Sequence, residues 1–535
     1  MQSDSRLGMS VVTESAPRAV RSSPYPRVAG LAMLASARFR VRRWNQALRR
    51  VEAVQMELLL ENVRHAAQTE YGRKHGFSEV RSYEDWQARV PVGDYDAFHP
   101  HILRMMEGEK GILVPEFVEY FGNSSGSSNR GKQKFLPITD RQLRHQKGSS
   151  ADSLFRWLAR YGVSDFTSGF TLGLFPPTTM KKQGPVTVTN NPALMFSKLP
   201  LAAQPVYLPT GPAKTESDYD KKLEMIADQY FDHDVRAITG TTCWFSLMFD
   251  KLLEAARRRG RDVSSVREIW PNLRVLLGGG VSAQPYLPVI EERLGTSDFA
   301  LVDTYNATEG GIYACTDHES DRGMLMIPDR GVFFEFVALE DRGASNPTRV
   351  PLWGVEKDRL YSIVVTTPSG LYAYELGDIV RFPSTEPPRI EFAGRLAGCL
   401  STTQELTTHV EIESGMRHAL EQFPVTPVDF AAGADVGVDG TSKSRYILFV
   451  EPERDTPIPD PEAFVRAFDE GLQGANRVYR EHRSKDAAIL APHIVVLPTG
   501  SVQRFMSESG RTSVQTKFPR IVDDEGKALL RSFAS

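Results

Sequence analysis

At 535 residues, with 41% hydrophobic and 24% charged side chains, the chain has a soluble-globular composition and is too long for one ordinary core. A formal net charge of −3 without any block of like charge excludes a whole-surface nucleic-acid or membrane footprint. Cys243, Cys315 and Cys399 lack metal-type spacing, which excludes a disulfide framework and points to a cytoplasmic, reducing setting.

In chain order, the first residues are rich in Ser, Arg and Pro without an apolar core, and read as a flexible tail over 1–28 rather than a secretion signal. Residues 28–37 are apolar, but Arg38, Arg40, Arg42 and Arg43 end the run far short of the roughly 20 residues of a membrane span. A surface-packed helix is expected, with a basic helix lying on a membrane as the alternative. Val51, Met56, Leu59 and Val63 carry helical periodicity through to residue 67. Predicted strands at 235–239, 273–277 and 299–304 alternate with helices at 244–258 and 285–294, the pattern of an α/β architecture with mixed and parallel sheets. From 331 to 392 short β runs follow, at 333–338, 360–366 and 370–374, a β-rich subdomain. Beyond a boundary near 395–403, a helix at 410–422, a strand at 445–450, a helix at 461–483 and a strand at 493–497 suit a small α+β domain.

Three segments carry chemistry. Ser124-Ser125-Gly126-Ser127-Ser128, running on to Lys132 and Lys134, follows a strand-like run at 118–121. Small residues let backbone amides approach an anion, hydroxyls donate to phosphate oxygens, and lysines supply charge. The bland alternative is a polar loop with solvated lysines. Gly126 to Lys132 also has the spacing of a Walker A loop, but Gln133 stands where that loop needs Ser or Thr, and Pro137 follows too closely for a long helix. Thr304-Tyr305-Asn306-Ala307-Thr308-Glu309-Gly310-Gly311 places a hydroxyl beside a carboxylate after an apolar strand, a pair able to hold magnesium on triphosphate and place the substrate; a solvated turn is the alternative. In Gly370 to Asp378 the aspartate, read as following a glycine turn at a strand end, has the acceptor chemistry for two ribose hydroxyls.

These segments, in this order, resemble the acyl acid amido synthetases of the Gretchen Hagen auxin-responsive family, within the acyl-adenylate-forming superfamily. The likeness covers nearly the whole chain and is read as one to a non-plant member. Thr69-Glu70-Tyr71-Gly72, His75-Gly76-Phe77, Pro91-Val92 and Tyr95 look like the family's opening signature; Asn476, Tyr479, Arg483 and Gln515-Thr516-Lys517-Phe518-Pro519-Arg520 match its C-terminal patterns.

The resemblance implies an ATP-dependent ligase that adenylates a small carboxylic acid with magnesium and passes the acyl group to an amine, expected to be an amino acid. It implies phosphate contacts for Ser124, Ser125, Gly126, Ser127 and Ser128 with Lys134 nearby, and adenine flanked by Gly279 and Gly280 with Tyr305 stacked near it. It further implies that Thr308 contacts the α-phosphate or acyl carboxylate, Glu309 binds magnesium, Asp378 holds the ribose, Arg395 lies at the hinge side, and Lys517 swings in during adenylation. The implied fold is a large ATP- and acyl-binding domain over 29–397 and a small mobile C-terminal domain over 398–535. The phosphate loop is one residue longer than the family pattern, residue 375 is Glu where a basic residue is common, and 401–413 differs from the plant form. A thiol acceptor such as coenzyme A, and a non-catalytic acid or nucleotide sensor, are the alternatives.

Residues outside these segments read more blandly. Asp317-His318-Glu319 reads as a solvated cluster and His233, between Asp232 and Asp234, as a surface turn. Trp244 and Phe245 read as core or acyl-pocket residues, with core packing favoured for at least one.

Overall fold

Strand–helix alternation produces the mixed α/β architecture expected, in two compact units that the chain enters more than once. The first comprises Met1–Gln46, Leu143–Gln183 and Thr187–Glu319, and the second Ala47–Gln142, Gly184–Val186 and Ser320–Ser535. The computed structural model describes residues 20–124, 134–175, 180–216, 218–279, 287–318, 321–341, 347–400, 402, 405, 407–436, 438, 443–486, 489–509 and 517–534.

In the first unit, strands Tyr207–Leu208, Phe170–Leu174, Val235–Gly240, Val275–Gly279 and Ala300–Ala307 lie side by side in that order, joined by parallel ladders. Numbered along the chain, this is the 2-1-3-4-5 order of a doubly wound sheet, which receives ligands beyond the carboxyl ends of its strands. Helices Tyr219–Tyr230, Cys243–Arg258 and Leu287–Leu294 make the crossovers, and their apolar faces bury Leu223, Phe249, Leu252 and Ile290 against strand residues such as Leu172, Ile238 and Leu276. The Ala300 strand is longer than expected, because nothing in Tyr305-Asn306-Ala307 breaks an extended chain; it turns at 308–310 into an antiparallel strand, Gly311–Cys315. Helix Arg27–Leu48 turns Leu34, Ala37 and Trp44 inward, and Arg40 donates from Nε to Asp152 at 2.7 Å. Among the described residues no helix is long and apolar enough to cross a membrane.

In the second unit, an antiparallel sheet runs Arg349–Pro351, Phe333–Ala338, Leu360–Thr366, Tyr374–Thr385, Pro388–Arg395, Met324–Met326. Helix Val51–Ala66 crosses its Phe333 strand through buried amides: Gln55 donates to the carbonyls of Pro328 and Val332 and accepts from the Phe334 amide, and Asn62 donates to the Gly331 carbonyl at 3.0 Å. Gln55 and Asn62 thus enter this core with hydrogen-bond partners, as burial demands. The strand expected at 370–374 is instead a loop. Gly370 and Ala373 adopt positive φ (92° and 45°), which regular ladder pairing does not accommodate, and pairing resumes only at Tyr374.

The C-terminal part of this unit is a three-stranded sheet, Pro427–Val436, Ser444–Pro452, Ile489–Val496. Along its central strand Tyr446, Leu448 and Val450 join Ile412, Met416, Phe464 and Phe468, from helices His409–Gln422 and Pro461–Ala475, in one core. The intervening Ile447 and Phe449 join Phe505, Phe518, Leu530 and Phe533 in a second, the period-two alternation of a strand buried on both faces. The single helix expected over 461–483 is two, broken at Asn476, whose Oδ1 accepts the Tyr479 amide at 2.8 Å and caps helix Arg477–Arg483. Leu400, Glu405 and Thr407 are knitted to the same sheet. Leu400 and Thr407 exchange backbone hydrogen bonds, Tyr446 donates to Glu405 Oε1 at 2.7 Å, and Asn476 Nδ2 donates to the Glu405 carbonyl at 2.9 Å.

Candidate functional site

Residues singled out from the sequence collect at four places, each within one unit. The first is a hairpin of the second unit. Strands Tyr120–Ser124 and Lys134–Ile138 pair antiparallel with Ser124 opposite Lys134, and they bound the serine segment on either side. That geometry removes the Walker A reading, which needs a strand, a loop and then a helix. Ser125, Gly126, Ser127 and Ser128 lie outside the described residues. Lys134 is half-buried, its Nζ 5.3 Å from the centre of the Tyr95 ring. The Tyr95 hydroxyl accepts the Phe135 amide at 3.0 Å, and burial lifts its pKa, keeping it a neutral phenol. Tyr95 belongs to the opening signature, but a pairing across 40 positions leaves no mark in local spacing.

The remaining opening residues support this region by packing. Thr69 caps helix Glu70–Lys74, Tyr71 stacks on Phe98 and Tyr372, and Gly93 exchanges backbone hydrogen bonds with Ala373 and Glu375 at the start of the Tyr374 strand.

The second place is the carboxyl edge of the parallel sheet in the first unit. Gly279 ends its strand opposite Thr304, and a Cβ on it would come within 2.6 Å of Thr304 Oγ1 and Asn306 Nδ2. The glycine is therefore required by the close approach of neighbouring side chains, whatever ligand lies beyond; Gly280 lies outside the described residues. Tyr305 is buried, edge-on to Tyr313 at 5.7 Å. Thr308 and Glu309 are half-buried in the turn between the two strands.

The third place is a bulge in the Tyr374 strand. Val364 faces Glu375 and Ser362 faces Ile379, so Leu376, Gly377 and Asp378 stand against one residue of the neighbouring strand. Gly377 makes this possible at φ 80°. Asp378 is therefore not at a strand end, as expected, but inside a long strand, where the bulge re-aims it; it is 5% exposed and opposite Arg395 in register. The departure from the family pattern at Glu375 has a local partner, since Ser362 Oγ donates to its Oε1 at 2.7 Å.

Lys517 is the fourth. It is exposed and immediately precedes Phe518, which is buried against Phe505. Gln515 and Thr516 lie outside the described residues. Asn476, Tyr479 and Arg483 prove to be scaffold: Tyr479 and Arg483 both donate to Asp469, at 2.8 and 3.0 Å, while Asn476 caps their helix.

Two side readings resolve differently from the sequence, and a third as expected. Asp317 is not solvated but buried against Arg156 at 3.0 Å. His233 is half-buried between the rings of Phe170 and Tyr230, which lowers its pKa chiefly by desolvation. Trp244 and Phe245 are both core residues.

The donor set suits a nucleotide triphosphate: a carboxylate acceptor at Asp378 and a cation at Lys134 beside a serine-rich connection. Among the described residues no three His, Cys, Asp or Glu side chains are grouped to hold a metal ion. A cation held at Glu309 would take its other ligands from phosphate and water, a shell that suits magnesium.

Three domain descriptions match the chain in order: the GH3 family N-terminal domain over residues 40–229, the GH3 family central domain over 325–395 and the GH3 family C-terminal domain over 410–526. The chain belongs to the GH3 family. Among GH3 relatives, it is 24% identical over 542 residues to indole-3-acetic acid-amido synthetase GH3.3 of Arabidopsis thaliana, covering 89% of this chain and 90% of that protein. It is 25% identical over 546 residues to indole-3-acetic acid-amido synthetase GH3.8 of Oryza sativa subsp. indica, covering 88% of each. The fold matches AtGH3.15 acyl acid amido synthetase in complex with 2,4-DB with a TM-score of 0.72 at 19% identity, over 95% of this chain and 96% of the other. A 2-hydroxyisobutyryl-CoA ligase in its postadenylation state matches with a TM-score of 0.58 at 15% identity, over 90% and 91%. These structural likenesses establish the fold.

Proposed function

We propose that this GH3 protein is an ATP-dependent acyl acid amido synthetase. It converts a small carboxylic acid to its acyl-adenylate with release of pyrophosphate, then transfers the acyl group to an amino acid as an amide. The supporting observation is the match of three GH3 domains in family order, in a chain whose Lys134, Glu309, Asp378 and Lys517 stand in segments that resemble the family's elements. A carboxylate is a poor acyl donor because oxide is a poor leaving group. Attack of its oxygen on the α-phosphate expels pyrophosphate, and AMP then leaves when the amine attacks the carbonyl.

In this reading the Ser124–Lys134 hairpin and Lys134 hold phosphate oxygens. Thr308 orients the reacting α-phosphate or carboxylate, Asp378 accepts the ribose hydroxyls, and Tyr305 with Gly279 and Gly280 borders the base. Lys517 places positive charge on the departing phosphates, with Arg395 on the hinge side of the nucleotide. Magnesium bound with the nucleotide at Glu309 would neutralise phosphate charge. A rotating C-terminal domain over 398–535 would present Lys517 for adenylation and withdraw it for amide formation. The thiols of Cys315 and Cys399 suit a cytoplasmic enzyme.

The deciding experiment is pyrophosphate release from ATP and magnesium across aryl, indolyl and aliphatic acids, with and without pooled amino acids. Release that requires one acid and rises with an amino acid is the expected result. Thioester formation with coenzyme A and no amide would replace the acceptor, and nucleotide binding without turnover on any acid would replace the enzyme with a sensor. Glu309→Ala should abolish magnesium-dependent release.

A further inference from the structure

Arg520 stands three residues beyond Lys517 and holds four groups at once. Its Nε donates to Glu413 at 3.1 Å, on helix His409–Gln422. Its Nη1 donates to Asp429 and, at 3.1 Å, to the Phe430 carbonyl, both on strand Pro427–Val436. Its guanidinium lies 4.2 Å from the centre of the Phe430 ring. The backbone is held too: the Ala432 amide donates to the Arg520 carbonyl at 2.8 Å, and the Val522 amide returns the bond to Ala432 at 2.9 Å. With Phe518 buried, the segment from 518 to 522 is fixed to the edge of the C-terminal sheet, while Lys517 at its head stays exposed.

We propose that Arg520 is a positioning residue for adenylation: by tying the lysine-bearing segment to both helix and sheet, it fixes where the Lys517 ammonium is delivered. The inference rests on the reading of Lys517 given above. A lysine on a loosely held segment reaches the leaving phosphates in only a fraction of approaches, so the adenylation rate falls while nucleotide affinity is unchanged. The fork matters as much as the charge, because only a planar guanidinium meets Glu413, Asp429 and the Phe430 carbonyl together while lying on a ring.

The test compares Arg520→Met, Arg520→Lys, Glu413→Gln and Lys517→Ala in the full chain, in two assays. One is acid-dependent pyrophosphate exchange; the other is amide formation from chemically supplied acyl-adenylate, which does not use Lys517. Arg520→Met and Arg520→Lys should both lower the exchange kcat at least tenfold with the KM for ATP unchanged and amide formation retained. Glu413→Gln, a milder change, should lower exchange in the same sense. Equal loss of both half-reactions would assign Arg520 to stability alone and overturn the proposal, as would full exchange in Arg520→Lys. Wild-type exchange in Arg520→Met with none in Lys517→Ala overturns this inference only. Full exchange in Lys517→Ala removes the role of the lysine and the inference with it.

Discussion

The Tyr95 hydroxyl accepts the first main-chain amide after Lys134, so it bears on where that ammonium points without touching a phosphate. Tyr95→Phe keeps the ring beneath the cation and deletes one acceptor, a change of about 1 kcal/mol in a buried hydrogen bond. The expected result is a several-fold rise in the KM for ATP with kcat nearly unchanged, read from initial rates of pyrophosphate release; an unchanged KM would detach Tyr95 from the nucleotide. Lys222 offers a pH test. Its side chain is buried, its Nζ has the Lys214 carbonyl only at 3.5 Å, and desolvation lowers its pKa to about 8. A lowered lysine pKa means the folded state binds the proton less well than the unfolded chain. The destabilisation is fully present below pH 8 and fades as the pH rises towards the ordinary lysine value. Lys222→Met should therefore be more stable than the parent at pH 7, by about 1–3 kcal/mol, with the advantage shrinking at pH 10 in paired denaturant titrations. Sequence alone named Lys134, Glu309 and Asp378 because small residues, hydroxyls and carboxylates in tight runs are visible locally. Tyr95 and Arg520 stand out locally only as members of family patterns, because their partners are distant in sequence, and Lys222 does not stand out at all.

Asp378 owes its placement to an irregularity in a strand rather than to a turn. Gly377 has open space where a Cβ would sit, so a substitution there meets no neighbour and fails only through its left-handed backbone, at about 1–2 kcal/mol. Gly377→Ala should keep the far-UV circular dichroism of the parent yet weaken nucleotide binding roughly tenfold by calorimetry, a factor equivalent to about 1.4 kcal/mol. Unaltered binding would mean that the bulge does not aim Asp378 at the ligand. The sequence displayed the strands at 333–338 and 360–366 because their β-branched and aromatic residues are bounded by turn signals. It misplaced 370–374, where two positive φ values interrupt an apolar run. It overlooked Pro427–Val436, in which Ala431, Ala432, Gly433 and Ala434 offer little β signal although both faces are covered. The break at Asn476 was hidden because helical periodicity runs on through it; only the cap reveals it.

For the molecule as a whole, α/β alternation was legible because crossover helices and buried strands carry different periods. The way the chain returns to each unit was not, since long-range docking is decided by surfaces assembled from several segments. The hydrogen bonds that join Leu400, Glu405 and Thr407 to Tyr446 and Asn476 have a practical consequence for recombination between relatives. A crossover within 400–407 pairs one parent's donors with another's acceptors and leaves Glu405, which is 3% exposed, among mismatched neighbours. A crossover at 396–399 inherits that network whole. Hybrids joined at residue 398 should elute as monodisperse protein on gel filtration, whereas those joined at residue 406 should aggregate, so the C-terminal sheet is exchanged between relatives by a cut ahead of Leu400 rather than within its network.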